Sequence, residues 1–100
     1  MYRQGDVLIT PVPAIPKGLK CVAHERCVLA EGEATGHAHV AIGPDVEMYE
    51  DDNGVLWLSA PSGCVVNHEE HGTITLPPGS HRVTRQREWT DADEPRQVAD

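Results

Sequence analysis

The chain has 100 residues, with 8 Lys and Arg against 16 Asp and Glu and a formal net charge of −8. This length suits one domain, and the acidic balance argues against a nucleic-acid partner while it favours cations. No apolar run approaches the roughly 20 residues of a membrane span, and residues 1–6 lack the basic and apolar regions of a signal peptide. We therefore expect a cytoplasmic protein without a nucleic-acid or membrane partner.

The first third of the chain predicts two strands separated by a proline-rich loop. Residues 7–10 form an apolar run that indicates a strand, and the three prolines in residues 11–18 remove hydrogen-bond donors and fix φ. Residues 20–30 predict the second strand. Because Gly32 and Gly36 accept positive φ angles, we expect residues 31–36 to turn the chain.

The rest of the chain alternates between short apolar segments and turn residues. The alternation predicts strands at 37–42, 46–50, 55–58, 64–68, 72–76 and 83–89. Gly, Pro, Asn and Asp predict turns at 43–45, 52–54, 61–63 and 77–80. The Asn53-Gly54 pair is typical of a type I′ hairpin turn. We expect Val46 and Met48 to point inward, because strand side chains alternate between two faces.

Seven to eight short strands predict an all-β fold, a small single-domain β-barrel or sandwich. The composition agrees, because the chain has 9 Gly, 8 Pro and no Phe, and its apolar residues are mainly β-branched or small. We expect the barrel to occupy residues 1–90 and residues 91–100 to form an acidic C-terminal tail or a short helix. Residues 90–93 offer an N-cap and first-turn acids for such a helix.

Two histidine pairs are the strongest chemical signal in the sequence. His37 and His39 lie two residues apart on a predicted strand, so both imidazoles point to one face and can reach a single metal ion. His68 ends another predicted strand, on the same face as Cys64 and Val66. The sequence therefore predicts a metal site that uses His37, His39 and His68.

Several other residues are candidates for completing this site. His71 lies in a predicted turn, so its direction cannot be inferred, and His81 either supplies a ligand or is exposed. Glu69 and Glu70 could provide a carboxylate ligand or a general base, or they could form a solvated hairpin tip. We expect Cys21, Cys27 and Cys64 to be buried thiols, with Cys64 as a less favoured candidate for a metal ligand. We expect His24 to lie on the surface.

The histidines and the glycine-rich turns resemble the cupin pattern over about half of the chain. In cupins, a glycine leads to a His-x-His pair and a nearby Glu, and a later Pro-x-Gly precedes a further His. His37 and His39 match the pair, while Pro77, Gly79 and His81 match the second motif with one residue missing. The resemblance implies a β-barrel that encloses one divalent metal, although the chain has Gly43-Pro44 where cupins place the Glu.

A second resemblance covers nearly the whole chain. Residues 4–8, 32–39, 68–71 and 85–89 are similar to segments of a group of short bacterial and phage-borne proteins that have no assigned activity. The GEATGHAH and HEEH motifs carry most of this likeness. It implies no substrate and no catalytic residue.

Two functions compete on this basis. The first is a barrel that binds a divalent transition metal (Zn²⁺, Fe²⁺, Mn²⁺ or Ni²⁺), catalytic if a coordination position is open and structural if four ligands close the shell. The second is a non-catalytic adaptor in which the histidines are not ligands, with a protein partner or a homodimer formed through an exposed edge strand. Catalytic residues cannot be assigned, since the chain has neither a nucleophile elbow nor a phosphate-binding glycine loop.

Overall fold

Eight antiparallel strands form a nearly closed barrel in the computed structural model, which describes residues 1–31 and 37–85. The described part of the chain is all-β and contains no helix, so the predicted fold class is confirmed. The strands are β1 (Tyr2–Gln4), β2 (Val7–Val12), β3 (Lys20–Glu31), β4 (Ala38–Glu50), β5 (Leu56–Ala60), β6 (Cys64–Asn67), β7 (Ile74–Leu76) and β8 (Gly79–Arg85).

The long strand β4 connects the two halves of the sheet. The strand order is β1-β2-β8-β5-β4-β6-β7, with β3 alongside β4. β3 runs along one edge of β4 for its whole length, whereas the other edge is shared. There β6 pairs with residues 40–42 and β5 pairs with residues 47–50. The sheet therefore folds back on itself at the middle of β4.

The side chain of Gln4 joins the two ends of this strand order. Its amide nitrogen donates hydrogen bonds to the carbonyl oxygens of Val66 on β6 (3.0 Å) and of Gly72 before β7 (2.8 Å). β1 is therefore tied to the β6–β7 end by a buried side chain rather than by a backbone ladder. This contact helps to close the barrel.

The core is built from the inward-facing residues of every strand except β1. Its fully buried members include Val7, Ile9, Val46, Leu58 and Leu76. Each such side chain stabilises the fold by roughly 1.5–3 kcal/mol through removal of apolar surface from water. Val46 and Met48 are both buried, as the alternation predicted.

The predicted turn at residues 43–45 is wrong, because β4 continues through it. The ladder between β3 and β4 instead skips residues 43–46 of β4 and Glu25 of β3. The extra residues form a large, irregular bulge, which bends a strand without ending it. The turn-like sequence therefore marks the bend that lets one strand serve two neighbours.

Gly43 and Pro44 suit this bend for different reasons. Pro44 is exposed and lies where the ladder is interrupted, so its missing N–H leaves no strand partner unsatisfied. A Cβ atom on Gly43 would lie 2.7 Å from Cγ2 of Val46 and 3.2 Å from both Cβ of Cys64 and the carbonyl oxygen of Gly63. Only glycine allows this close approach without displacing buried neighbours.

The hairpin predicted around residues 52–54 is confirmed, but its turn type is not. The amide of Gly54 donates to the carbonyl of Asp51 (3.0 Å), and Gly54 has a φ of 80°. Asn53 does not have positive φ, so the turn is not type I′. The carboxylate of Asp51 accepts the amides of Asn53 and Val55, which favours a conformation that needs one left-handed residue only.

The first hairpin was not predicted. β1 precedes the expected first strand, and Gln4 pairs with Val7 across a turn in which Gly5 has a φ of 61°. The predicted turn at 32–36, the end of the last strand at 86–89 and the helix or tail at 91–100 lie outside the described residues. Within residues 1–31 and 37–85, no helix has the length and apolar character needed to cross a membrane.

We predict that Gly43→Ala destabilises the protein by about 1–3 kcal/mol, because the added methyl group is forced against buried neighbours. Gly72→Ala is the matched control, since a Cβ there meets nothing within 4 Å and its φ is not positive. Urea denaturation of both variants measures the difference. Equal stability of the two variants would show that the bend tolerates a side chain.

Candidate metal centre

Four histidines come together at one end of the barrel. His37 precedes β4, His39 lies within it, His68 directly follows β6, and His71 lies in the connection to β7. The ring of His68 is central, with centroid distances of 4.3 Å to His39, 4.6 Å to His71 and 5.7 Å to His37. The antiparallel pairing of β4 with β6 causes this meeting, because it brings the start of one strand beside the end of the other.

Three residues of this cluster have ligand atoms close enough to converge. One atom each from His37, His68 and Glu69 lies within 4.8 Å of the other two. Glu69 is held toward the barrel because its Oε1 accepts the backbone amide of Ala38 (3.3 Å). Hydrogen bonds from its own amide and that of Ala38 lower the pKa of Glu69, so its carboxylate is charged at neutral pH.

Glu70, the second acidic residue of the HEEH motif, lies near His37. Oε2 of Glu70 is 3.4 Å from Nδ1 of His37. Glu70 is exposed, so this contact contributes little to stability. It nevertheless adds a second carboxylate beside the cluster.

The buried residue His39 has a defined tautomer. Its Nδ1 lies 2.8 Å from Oε1 of Gln4. The amide nitrogen of Gln4 donates to two carbonyl groups, so its oxygen must be the acceptor. His39 therefore carries its proton on Nδ1 and leaves the lone pair on Nε2, as in metal-binding histidines whose other nitrogen is held by a hydrogen bond.

Charges around His39 agree with this assignment. Burial and the neighbouring His68 lower the pKa of His39 to about 4, so the ring is neutral at pH 7. Oδ1 of Asp6 is 3.9 Å from Nε2 of His39, too far for a hydrogen bond. Burial raises the pKa of Asp6, but the hydrogen bond and charge of Arg85, at 3.0 Å, outweigh this effect and hold it below its usual value.

His68 has the opposite arrangement. Its Nδ1 accepts the backbone amides of Glu70 (3.0 Å) and His71 (3.3 Å), so a neutral His68 carries its proton on Nε2. These bonds explain the tight turn of the HEEH segment. They also mean that ligation through Nε2 would move the proton to Nδ1 and release the two amides.

A glycine in the first hairpin provides space for the histidines. A Cβ on Gly5 would lie 2.8 Å from Nε2 of His71 and 3.3 Å from Cε1 of His39. Its positive φ also disfavours any side chain. The Gln4-Gly5-Asp6 segment therefore contributes three features to the site, namely the side-chain amide of Gln4, the space at Gly5 and the carboxylate of Asp6.

The structure does not bring His81 to this cluster. His81 lies on β8, where it pairs with Pro11 and Leu58, and its Nε2 is 3.2 Å from the carbonyl oxygen of Pro77. Arg85, which contacts Asp6 beside the cluster, lies four positions further along β8, or about 13 Å from His81. The alternative that His81 is an exposed residue is wrong as well, because only 1% of its surface is accessible.

The cysteines lie apart from the histidine cluster. Cys27 and Cys64 are buried as predicted, whereas Cys21 is exposed, contrary to the expectation. Burial raises the pKa of Cys27 to about 11 and raises that of Cys64 as well, so both remain thiols at neutral pH. His24 is exposed, as predicted.

Sequence reasoning identified the four clustered histidines but missed three residues that support them. Gln4, Asp6 and Arg85 contact the cluster or each other across 35 to 79 residues of chain. For Glu69, the sequence leaves a ligand or general-base role and a solvated hairpin tip open. The one available signal was the position of Gln4 and Asp6 around a glycine, which is compatible with a buried polar turn.

Comparison with known families gives one match. Residues 3–86 match the model of a family described as Domain of unknown function (DUF8820). Since the match covers more than half of the chain, the protein belongs to this family. No curated protein and no solved structure matches the chain.

We predict that Gln4→Glu lowers the free energy of unfolding by about 2–4 kcal/mol. The substitution keeps the shape of the side chain but replaces the donor to two carbonyl groups with a carboxylate oxygen, which leaves buried acceptors unpaired. Asn53→Asp makes the same chemical change at an exposed turn residue and should alter stability by less than about 0.5 kcal/mol. Chemical denaturation measures both, and equal losses would contradict the role assigned to Gln4.

The pKa of His39 predicts a pH dependence of stability. Its folded pKa of about 4 lies below the ordinary 6.5, so the unfolded chain binds more protons between these values. The contribution of neutral His39 is complete above about pH 6.5 and is lost as the pH falls toward 4, by up to about 3 kcal/mol.

Denaturation of chelator-treated protein at several pH values between 4 and 7 measures this effect. His39→Asn removes the titrating ring, while its amide nitrogen can replace Nδ1 as a donor to Gln4. The variant should therefore show a smaller loss of stability at low pH than the wild type, whereas His24→Asn should not. Identical pH profiles of the wild type and the His39 variant would contradict the assignment.

Proposed function

We propose that this member of the family binds one divalent transition-metal ion through His37, His68 and Glu69. The observation that carries the proposal is the convergence of one ligand atom from each of these residues to within 4.8 Å of the others. Exposed acidic residues often cluster without a metal, but here two of the three groups are half-buried imidazoles. The proposed site therefore keeps His37 and His68 from the set predicted by the sequence and adds the carboxylate of Glu69.

The ligand atoms lie within about 1 Å of the separation that one ion requires. Nitrogen and oxygen ligands lie about 2.0–2.2 Å from a zinc ion, so three of them around one ion lie roughly 3.3–3.8 Å from each other. Movements of up to about 1 Å would bring the three atoms into this range. His37 and Glu69 lie at the ends of loops or strands, where such movements cost little.

The donor set is one that several metals use. Two imidazoles and one carboxylate bind Zn²⁺ in hydrolytic sites and Fe²⁺ in open non-haem sites. Mn²⁺ and Ni²⁺ also accept imidazole and carboxylate ligands. The net charge of −8 favours accumulation of any of these cations at the protein surface.

His39 is the best placed fourth ligand among the described residues. Its lone pair is on Nε2, it is neutral at pH 7, and its ring is 4.3 Å from that of His68. This role would restore the His37-x-His39 pair expected from the sequence and from the cupin resemblance. Ions with five or six ligands would still have an open position for a small molecule.

Metal binding should have a local cost at His68. Ligation through Nε2 transfers the ring proton to Nδ1, which then no longer accepts the amides of Glu70 and His71. The two hydrogen bonds are exposed, so their loss costs about 1 kcal/mol each or less. A metal bond of ordinary strength exceeds this cost.

We predict that protein purified without a histidine tag binds about one equivalent of at least one of Zn²⁺, Fe²⁺, Mn²⁺ and Ni²⁺. Elemental analysis, followed by titration of the metal-free protein in a calorimeter, measures the stoichiometry and affinity. His37→Ala and Glu69→Gln each remove one ligand and should weaken binding at least about tenfold.

His24→Ala is the matched control, since it removes an exposed histidine from β3. This variant should bind metal as the wild type does. Less than about a tenth of an equivalent of every metal, with no uptake on titration, would refute the proposal. Equal affinities of the wild type and the His37 and Glu69 variants would refute the ligand set.

A further inference from the structure

A groove opens on the outer face of the barrel, beside the residues proposed to bind metal. Its volume is about 270 Å³, and His68 and Glu69 line one part of it. Ala38, Val40 and Ile42, which alternate along β4, form an apolar floor. The volume approaches the lower end of the range for small-molecule sites.

Arg26 is the one cationic side chain that lines this groove. It pairs with Ile42 on the neighbouring strand, whereas Ala38 lies beside Glu69. Ile42 and Ala38 are four positions apart on β4. Arg26 therefore projects from a point about 13 Å from the end of the groove that lies beside the proposed metal site. Among the described residues, no carboxylate forms an ion pair with Arg26.

The backbone next to Arg26 is strained. Glu25 has a φ of 67° and is the only non-glycine residue with positive φ in the described part of the chain. It is also the β3 residue that the ladder with β4 skips between His24 and Arg26. Such bulges re-aim the adjacent side chain, and strain of this kind costs roughly 1–3 kcal/mol. The fold therefore holds the backbone of Glu25 in an unfavourable conformation, and this conformation sets the direction of the Arg26 side chain.

We infer that the groove binds a small organic acid, whose carboxylate pairs with Arg26 and whose second polar group reaches the metal ion. The inference rests on the proposed metal site and names the ligand class of that site. The apolar floor accepts the carbon chain between the two ends. Arginine suits the first contact because its planar guanidinium binds a carboxylate through two parallel hydrogen bonds.

The charge of the protein favours a carboxylate over a phosphate group. A phosphate monoester carries close to two negative charges at pH 7, and the groove supplies one arginine beside a domain with a net charge of −8. A carboxylate places a single charge beside that one arginine, and a dicarboxylate keeps its second charge at the far end of its carbon chain. A linear dicarboxylate has one such group for Arg26 and one for the metal.

Succinate, adipate and suberate are suitable probes, because they differ only in the length of the chain between two carboxylates. Each is titrated into the Co²⁺-loaded protein by calorimetry, and the visible spectrum of the cobalt ion reports whether the ligand reaches the metal. We expect at least one probe to bind with a spectral change. Butyrate, which lacks the second carboxylate, cannot reach Arg26 and the metal together and should bind at least about tenfold more weakly than that probe.

Arg26→Gln should weaken binding of that probe at least about tenfold without changing the affinity for Co²⁺. Arg82→Gln removes an exposed arginine from β8 and should leave probe binding unchanged. This pair separates loss of the contact from a general change of charge.

Three results would overturn the inference. Co²⁺-loaded protein that binds none of the probes, or an Arg26 variant that binds them as the wild type does, would refute the groove while the metal site stands. Tighter binding of inorganic phosphate than of every probe would refute the carboxylate assignment. Failure to bind Co²⁺ or any other tested metal would refute the proposed function and the inference together.

Discussion

The buried amide of Gln4 is the interaction on which barrel closure and histidine chemistry both depend. Its nitrogen donates to the carbonyl groups of Val66 and Gly72, which ties the first strand to the far end of the sheet. Because both amide hydrogens are then used, its oxygen accepts from His39 and determines which nitrogen of that ring is free. A fully satisfied polar group of this kind is costly to disturb, since each unpaired member would remain buried. The same side chain therefore links stability to the readiness of His39 to bind a metal.

A second constraint is the interrupted pairing between β3 and β4. Residues 43–46 bend β4 so that its first half lies beside β6 and its second half beside β5. The first of these neighbours brings His68 and Glu69 next to His37 and His39. On the opposite strand, the same interruption leaves Glu25 in a left-handed conformation directly before Arg26. One irregularity thus shapes the histidine cluster on one side and the groove on the other. Its conformational cost is offset by the packing of Val46 and its buried neighbours.

The sequence predicted those features that depend on local periodicity. Alternation along a strand placed His37 and His39 on one face and pointed Val46 and Met48 inward, and it gave His68 a direction that His71 did not have. Contacts between distant segments could not be inferred in this way. The amide of Gln4 meets Gly72 across 68 residues, and Asp6 meets Arg85 across 79, and no local pattern encodes such distances. The turn expected at Gly43-Pro44 failed for a related reason. These residues favour bends in general, and only the pairing with β3, β5 and β6 makes the bend a bulge. Likewise, His81 is buried because β8 lies between β2 and β5, which a single strand does not reveal.

The proposed metal site can be tested by anomalous diffraction from crystals of the tag-free protein, grown with zinc and measured on both sides of the zinc absorption edge. We expect one strong peak within about 2.0–2.2 Å of a nitrogen of His37, a nitrogen of His68 and an oxygen of Glu69. We also expect that the amides of Glu70 and His71 no longer point to Nδ1 of His68. A peak at His24 or His81 alone, or no peak between His37, His68 and Glu69 in crystals that hold zinc elsewhere, would refute the proposed ligand set.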